Sequence, residues 1–166
     1  ADIDVGVPAH GVGRRDGDFR GDHDLETIRD LDNNTMTATT QLGVTVDCPH
    51  RERLGYGEAS LSAMWGNMPF FDSAAYFYAY ILKWASSQEP SGRIPHTSPD
   101  GYGWGGTFWS CFPVYSLWEF SRFYPDNRLF ATMRPVVDKW LDYLHSHVKE
   151  GILEQYEPKR GDCVGD

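Results

Sequence analysis

Several absences narrow the field before any motif is read. Lys and Arg number 15 against 24 Asp and Glu, for a formal net charge of -9. No basic stripe is therefore available to neutralise phosphates, which makes nucleic acid and anionic membrane poor partners. No run of about 18 apolar residues occurs, and mean hydropathy is -0.50, so no segment is expected to span a bilayer. The three cysteines, Cys48, Cys111 and Cys163, are too few for a disulfide scaffold and lack the paired spacing of a structural zinc site. They read as small buried hydrophobes. There is no Gly-rich phosphate loop, HExxH, GxSxG or CxxC, which removes several common enzyme classes. The chain opens at Ala1 without a basic stretch leading into an apolar core, so no secretory leader is visible, although a processed chain would look the same.

What is present is aromatic. Six Trp, nine Tyr and nine Phe in 166 residues suggest a surface that stacks on something flat and partly apolar, a description that fits sugars. The length matches one domain or a piece of a larger one.

Residues 1–21 are rich in Gly, Asp and Arg without apolar periodicity and read as an irregular or linker segment. Asp16, Asp18, Asp22 and Asp24 resemble a calcium loop, but Arg20 and Thr27 stand where oxygen ligands are wanted. A solvated acidic turn is the better reading, and neither a metal nor a cofactor is expected. From Asp24, read as an N-cap, to Gln41 the residues Leu25, Ile28, Leu31, Met36 and Ala38 keep helical spacing up to Gly43. The β-prone Val44-Thr45-Val46 follows, then a short helix from Gly57 to Trp65. Residues 69–87 are apolar nearly all round and predict a helix buried on several sides.

Residues 88–106 carry Pro90, Pro95, Pro99 and a cluster of glycines. Loops longer than about 12–15 residues are uncommon in compact domains and often functional. An aromatic helix is predicted over 107–123 despite Pro113, and an amphipathic one, capped by Asp126, up to Val148. No strand–helix alternation is seen. The class is all-α with long functional loops at helix ends.

The densest polar cluster is Asp47-Cys48-Pro49-His50-Arg51-Glu52-Arg53-Leu54-Gly55-Tyr56-Gly57-Glu58. Neighbouring guanidiniums favour an ionised carboxylate, while a second carboxylate and partial burial keep one protonated, so that an acid and a base coexist at one pH. Glycoside cleavage requires this: one carboxylic acid protonates the leaving oxygen, and a second carboxylate activates water or attacks the sugar. The competing reading is a salt-bridged helix-entry turn in which Arg51 and Arg53 merely neutralise Asp47, Glu52 and Glu58. Charge content alone does not separate the two.

The run from Asp47 to Gly57 closely resembles the signature of bacterial and fungal α-L-rhamnosidases of glycoside hydrolase family seventy-eight. Similar stretches extend over most of the chain: Gly92-Arg93-Ile94-Pro95, the spacing of Trp109 and Trp118, Trp140-Leu141-Asp142-Tyr143-Leu144, and the closing run from Gly161 to Asp166. The resemblance implies an (α/α)6 barrel of the six-hairpin glycosidase type that removes terminal α-L-rhamnose from oligosaccharides or glycosides with inversion. Residues 22–166 would be the N-terminal part of that catalytic domain. Glu52 matches the general acid, Asp47 and Arg51 residues that hold the sugar, and Tyr56 a sugar-facing Trp. Glu58 matches an acidic sugar ligand if one residue is deleted between Tyr56 and Glu58, and Trp109 matches an aromatic wall. A periplasmic or extracellular location follows from the same likeness.

Two departures stand out. Cys111 lies where many members carry Asp, which leaves the preferred sugar open. The family's general base lies in the second half of the barrel, and no later segment here supplies it. With about four or five long helices read for a barrel of six helical hairpins, the chain is expected to be the front of a larger domain, inactive without the remainder of the barrel. The aromatic faces of 69–87 and 107–123 would then be partly uncovered. Two alternatives remain: a sugar-binding module without turnover, and an inverting barrel enzyme acting on another sugar.

Among single residues, Trp104 sits between loop glycines and is a binding candidate. His50 and His96 are read mainly as non-contacting, His96 as a solvated loop residue. Trp65, Trp84, Trp118 and Trp140 are assigned to the core, and His145 and His147 to the surface near a helix C-terminus.

Overall fold

The computed structural model describes residues 13–14, 21–41, 43–101, 103 and 106–153. The expectations for Trp104, Cys163, the calcium-like residues before position 21 and the run 161–166 lie outside these. The described chain folds into helices α1 (His23–Thr39), α2 (Gly57–Asn67), α3 (Ala74–Ser87), α4 (Thr107–Ser110), α5 (Phe112–Phe123) and α6 (Asn127–Ser146). Three two-residue antiparallel ladders accompany them: β1 (Gly13–Arg14) with β4 (Phe71–Asp72), β2 (Thr40–Gln41) with β3 (Val44–Thr45), and β5 (Val148–Lys149) with β6 (Ile152–Leu153). The class is all-α. Among the described residues no helix is long and apolar enough to cross a membrane.

α1 is capped by Asp22, not Asp24. Asp22 has the extended backbone a cap needs, and its carboxylate accepts the Asp24 N–H at 2.9 Å. Asp24 and Glu26 then lie in the first turn, where the helix dipole favours them. The helix stops at Thr39 because Thr40 and Gln41 turn back onto Val44 and Thr45. Gly43, at φ +76°, makes that turn rather than ending the helix.

α3 supplies the centre of the core. Tyr76, Phe77, Tyr80, Ile81 and Trp84 recur at helical spacing and are all buried, whereas Ala75 and Ala79 face out. The helix begins at Ala74, later than predicted, because Phe71 and Asp72 pair with β1. α5 lies against α2, α3 and α6, and α3 also meets α6. Phe112 of α5 sits 5.0 Å from the Trp84 ring and 5.5 Å from Tyr80. All three rings are fully buried, and each such burial stabilises by about 1.5–3 kcal/mol. Leu61 and Met64 from α2, Ile94 from the loop, and Leu129, Met133 and Trp140 from α6 complete the core.

The predicted helix over 107–123 is broken at Cys111 into α4 and α5. Pro113 is the cause: it has no N–H to offer the Trp109 carbonyl and clashes inside a helix, but fits the first turn of a new one. α6 starts at Asp126 as predicted, with the carboxylate accepting the Arg128 N–H at 2.9 Å. It ends at Ser146, short of Val148, which enters β5.

Burial corrects several expectations. The aromatic face of α3 is covered, not open. The face of 107–123 is partly uncovered as expected, at Phe108, Tyr115 and Trp118, and among the described residues Phe130 and Leu141 of α6 and Leu25, Ile28 and Leu31 of α1 are also exposed. Trp118 is 60% exposed and Trp65 55% exposed, so neither belongs to the core, while Trp84 and Trp140 do. Cys48 and Cys111 are half-buried rather than buried.

Candidate active site

The polar motif forms a tight turn between β3 and α2. Cys48 is its hub: the Cys48 carbonyl accepts the N–H groups of Arg51 at 3.0 Å and Arg53 at 3.3 Å. The Asp47 carboxylate accepts the Cys48 N–H at 2.6 Å. The Arg53 guanidinium donates to the Pro49 carbonyl at 2.9 Å. Arg53 takes φ 56°, a left-handed conformation costing a non-glycine residue about 1–2 kcal/mol, and the chain then straightens toward Gly55.

This folding brings Asp47 and Glu52 together. A carboxylate oxygen of each and the Cys48 sulfur all lie within 4.8 Å of one another. Glu52 keeps 32% of its side chain exposed and pairs with the Arg51 guanidinium at 3.5 Å. Local desolvation, with the Asp47 and Glu52 charges, pushes the Cys48 thiol up. Among the described residues these three offer metal-ligand atoms at close range. Tyr56 is the N-cap residue of α2, and Glu58 stands half-buried in its first turn.

The long loop is zipped to this turn as a short antiparallel ladder. Tyr56 bridges Thr97, the His96 carbonyl accepts the Gly57 N–H at 3.0 Å, and the Gly55 carbonyl accepts the Ser98 N–H at 3.1 Å. Beneath it, Ser60 Oγ donates to the Tyr56 carbonyl at 2.6 Å and lies 2.6 Å from the Tyr80 hydroxyl. Tyr80 also donates to the Gly55 carbonyl at 3.4 Å. Burial pushes the Tyr80 phenol well above its ordinary range, so it stays a donor. On Gly57 a Cβ would run into the Trp109 carbonyl and Phe112 Cβ, so only glycine lets α2 meet the α4–α5 junction this closely.

Trp109 is half-buried in α4, with the edge of Phe108 at 6.1 Å and the His96 imidazole stacked at 4.8 Å and 32°. His96 is 3% exposed, not the solvated loop residue its polar, Pro- and Gly-rich surroundings predict. Burial lowers its pKa below the ordinary imidazole value. Cys111, whose thiol is pushed up to about 11 by burial, donates to the Phe108 carbonyl at 3.0 Å. Asp47, Arg51, Glu52, Tyr56 and Glu58 thus share one turn and the helix it enters, and Trp109 joins them through Gly57 and His96. Sequence reasoning missed the supports, Tyr80, Ser60 and the buried His96. Tyr80 was visible only as one member of the apolar stripe of α3.

The sequence model of the bacterial alpha-L-rhamnosidase six-hairpin glycosidase domain matches residues 14–165. The chain belongs to this family. Among solved structures, the alpha-L-rhamnosidase from Dictyoglumus thermophilum is similar, with a TM-score of 0.64 at 20% identity. The likeness covers 76% of this chain and 16% of that one, so the chain spans about a sixth of that enzyme. Among curated proteins no match was found. The helical pairs described above are part of a six-hairpin glycosidase fold, and the turn from Asp47 to Glu58 is the polar feature this rhamnosidase-family chain presents beside its aromatic loop.

Proposed function

We propose that this chain is the acid-bearing part of an inverting α-L-rhamnosidase. Glu52 protonates the glycosidic oxygen as the bond to the anomeric carbon breaks, while water attacks the opposite face. The observation that carries the reading is the approach of the Asp47 and Glu52 carboxylates to within 4.8 Å on a turn zipped to the His96–Trp109 loop. An inverting pair needs about 6.5–9.5 Å between carboxyls to hold the attacking water. Asp47 is too close to be the base, so it serves as a sugar ligand, and the base comes from another part of the barrel. Arg51 and Glu58 bind hydroxyls, Tyr56 and Trp109 bound the ring, and Trp104 adds a further aromatic contact. The ligand is a terminal α-L-rhamnosyl group on an oligosaccharide or glycoside, handled in the periplasm or outside the cell.

The test is proton NMR of the complete barrel, this chain together with the part that supplies the base, acting on methyl α-L-rhamnoside. First release of β-L-rhamnose supports the proposal, and first release of the α-anomer removes inversion. Saturable binding without any release favours the sugar-binding module. Faster release from another terminal sugar favours the reading in which Cys111 marks a changed preference.

A further inference from the structure

We propose that His96 is a positioning residue for the sugar platform: its ring backs the Trp109 indole and its backbone ties that indole to the acid-bearing turn. The inference rests on the reading of Trp109 as a sugar-facing wall. Three observations converge on it. The imidazole lies 4.8 Å from the indole at 32°, close to an offset stack, and Trp109 is only half-buried, which leaves part of the indole open to a ligand. The ring occupies a slot cleared by two glycines. A Cβ on Gly103 would lie 2.9 Å from Nδ1, and one on Gly106 would overlap the Trp109 ring and come within 3.5 Å of Nε2.

The backbone of the same residue closes the connection. The His96 carbonyl accepts the N–H of Gly57, at the start of α2, and the His96 N–H donates to the Gly103 carbonyl, each at 3.0 Å. A shift of the motif turn therefore moves the ring behind Trp109, and the reverse. Nε2 is buried without a hydrogen-bond partner. What the position demonstrably offers Trp109 is the flat face of the ring. His96 acts through Trp109 rather than on the reacting atoms.

The experiment compares His96→Ala and His96→Phe in the complete barrel, this chain together with the part that supplies the base, with 4-nitrophenyl α-L-rhamnoside as substrate. Loss of the stack in His96→Ala should raise KM about five- to ten-fold with kcat changed less than about two-fold. His96→Phe, which keeps a flat ring in the slot, should bring KM back to within about two-fold of wild type. A role confined to folding would lower thermal stability in His96→Ala without this split and without rescue. The proposal is overturned by an unchanged KM in His96→Ala, or by a His96→Phe enzyme as impaired as His96→Ala. Wild type that neither binds nor hydrolyses the rhamnoside overturns the functional reading, and this proposal with it. Should His96→Ala not fold, the wild-type imidazole proton resonances serve: they should shift on titration with methyl α-L-rhamnoside, saturating with the binding isotherm. Resonances that stay fixed through saturation overturn the proposal.

Discussion

Gly57→Ala sets two magnitudes of opposite sign against each other. Gly57 is in the first turn of α2, and on propensity alone Ala should stabilise the helix there by about 0.5–1 kcal/mol. Against this, the new Cβ would collide with the Trp109 carbonyl, with the carbonyl carbon at 2.9 Å and with Phe112 Cβ at 3.0 Å. The first two are backbone atoms fixed by the α4–α5 break, and Phe112 is fully buried, so no side chain can swing clear. Overpacking of this kind costs about 1–3 kcal/mol. The net expectation is a loss of about 1–2 kcal/mol, read as a lower urea midpoint at unchanged slope. Gly66→Ala is the matched control, because its Cβ would meet the Met36 thioether at 3.2 Å. Met36 is flexible and half-buried, so the propensity gain should prevail and the midpoint hold or rise. Equal or greater stability of Gly57→Ala would refute the close docking of the motif turn against the aromatic wall.

Two further outcomes follow from the supports of the site. Tyr80→Phe removes the hydroxyl shared by Ser60 and the Gly55 carbonyl and should cost about 1–2 kcal/mol by urea unfolding; an unchanged midpoint would exclude Tyr80 as a prop of the turn. Because burial lowers the folded-state pKa of His96 from 6.5, the unfolded chain takes up this proton first as pH falls. Stability from this group is complete above about pH 6.5 and declines below it, toward the lower folded pKa. Melting curves of wild type and His96→Phe from pH 7.5 downward should show a shallower acid decline in the variant. Parallel curves would contradict the buried neutral imidazole.

The elements legible in sequence were those whose cause is local. The spacing of Tyr76, Phe77, Tyr80, Ile81 and Trp84 marks α3, and Asp126 caps α6 through its own side chain. The run from Asp47 to Glu58 announced a charged turn at a helix entry, and the structure makes it one. What escaped was set by distant partners. The stacking of His96 on Trp109 joins residues thirteen apart through glycines that look like mere loop flexibility. Leu25, Ile28 and Leu31 keep helical spacing, yet periodicity says nothing of what covers a face, and here they are exposed. Trp118 fails in the same way, being large and apolar but on the outer side of α5.

The central claim is that Glu52 donates the proton to the leaving group. It is tested most directly by the leaving-group dependence of Glu52→Gln in the complete barrel that includes the base. With a poorly activated alkyl or phenyl α-L-rhamnoside, kcat/KM should fall about 10²–10⁴-fold, the usual contribution of a general acid. With 2,4-dinitrophenyl α-L-rhamnoside, whose leaving group needs little protonation, the loss should be much smaller. Near wild-type rates on the poor substrate, or an equal loss on both, would contradict the assignment.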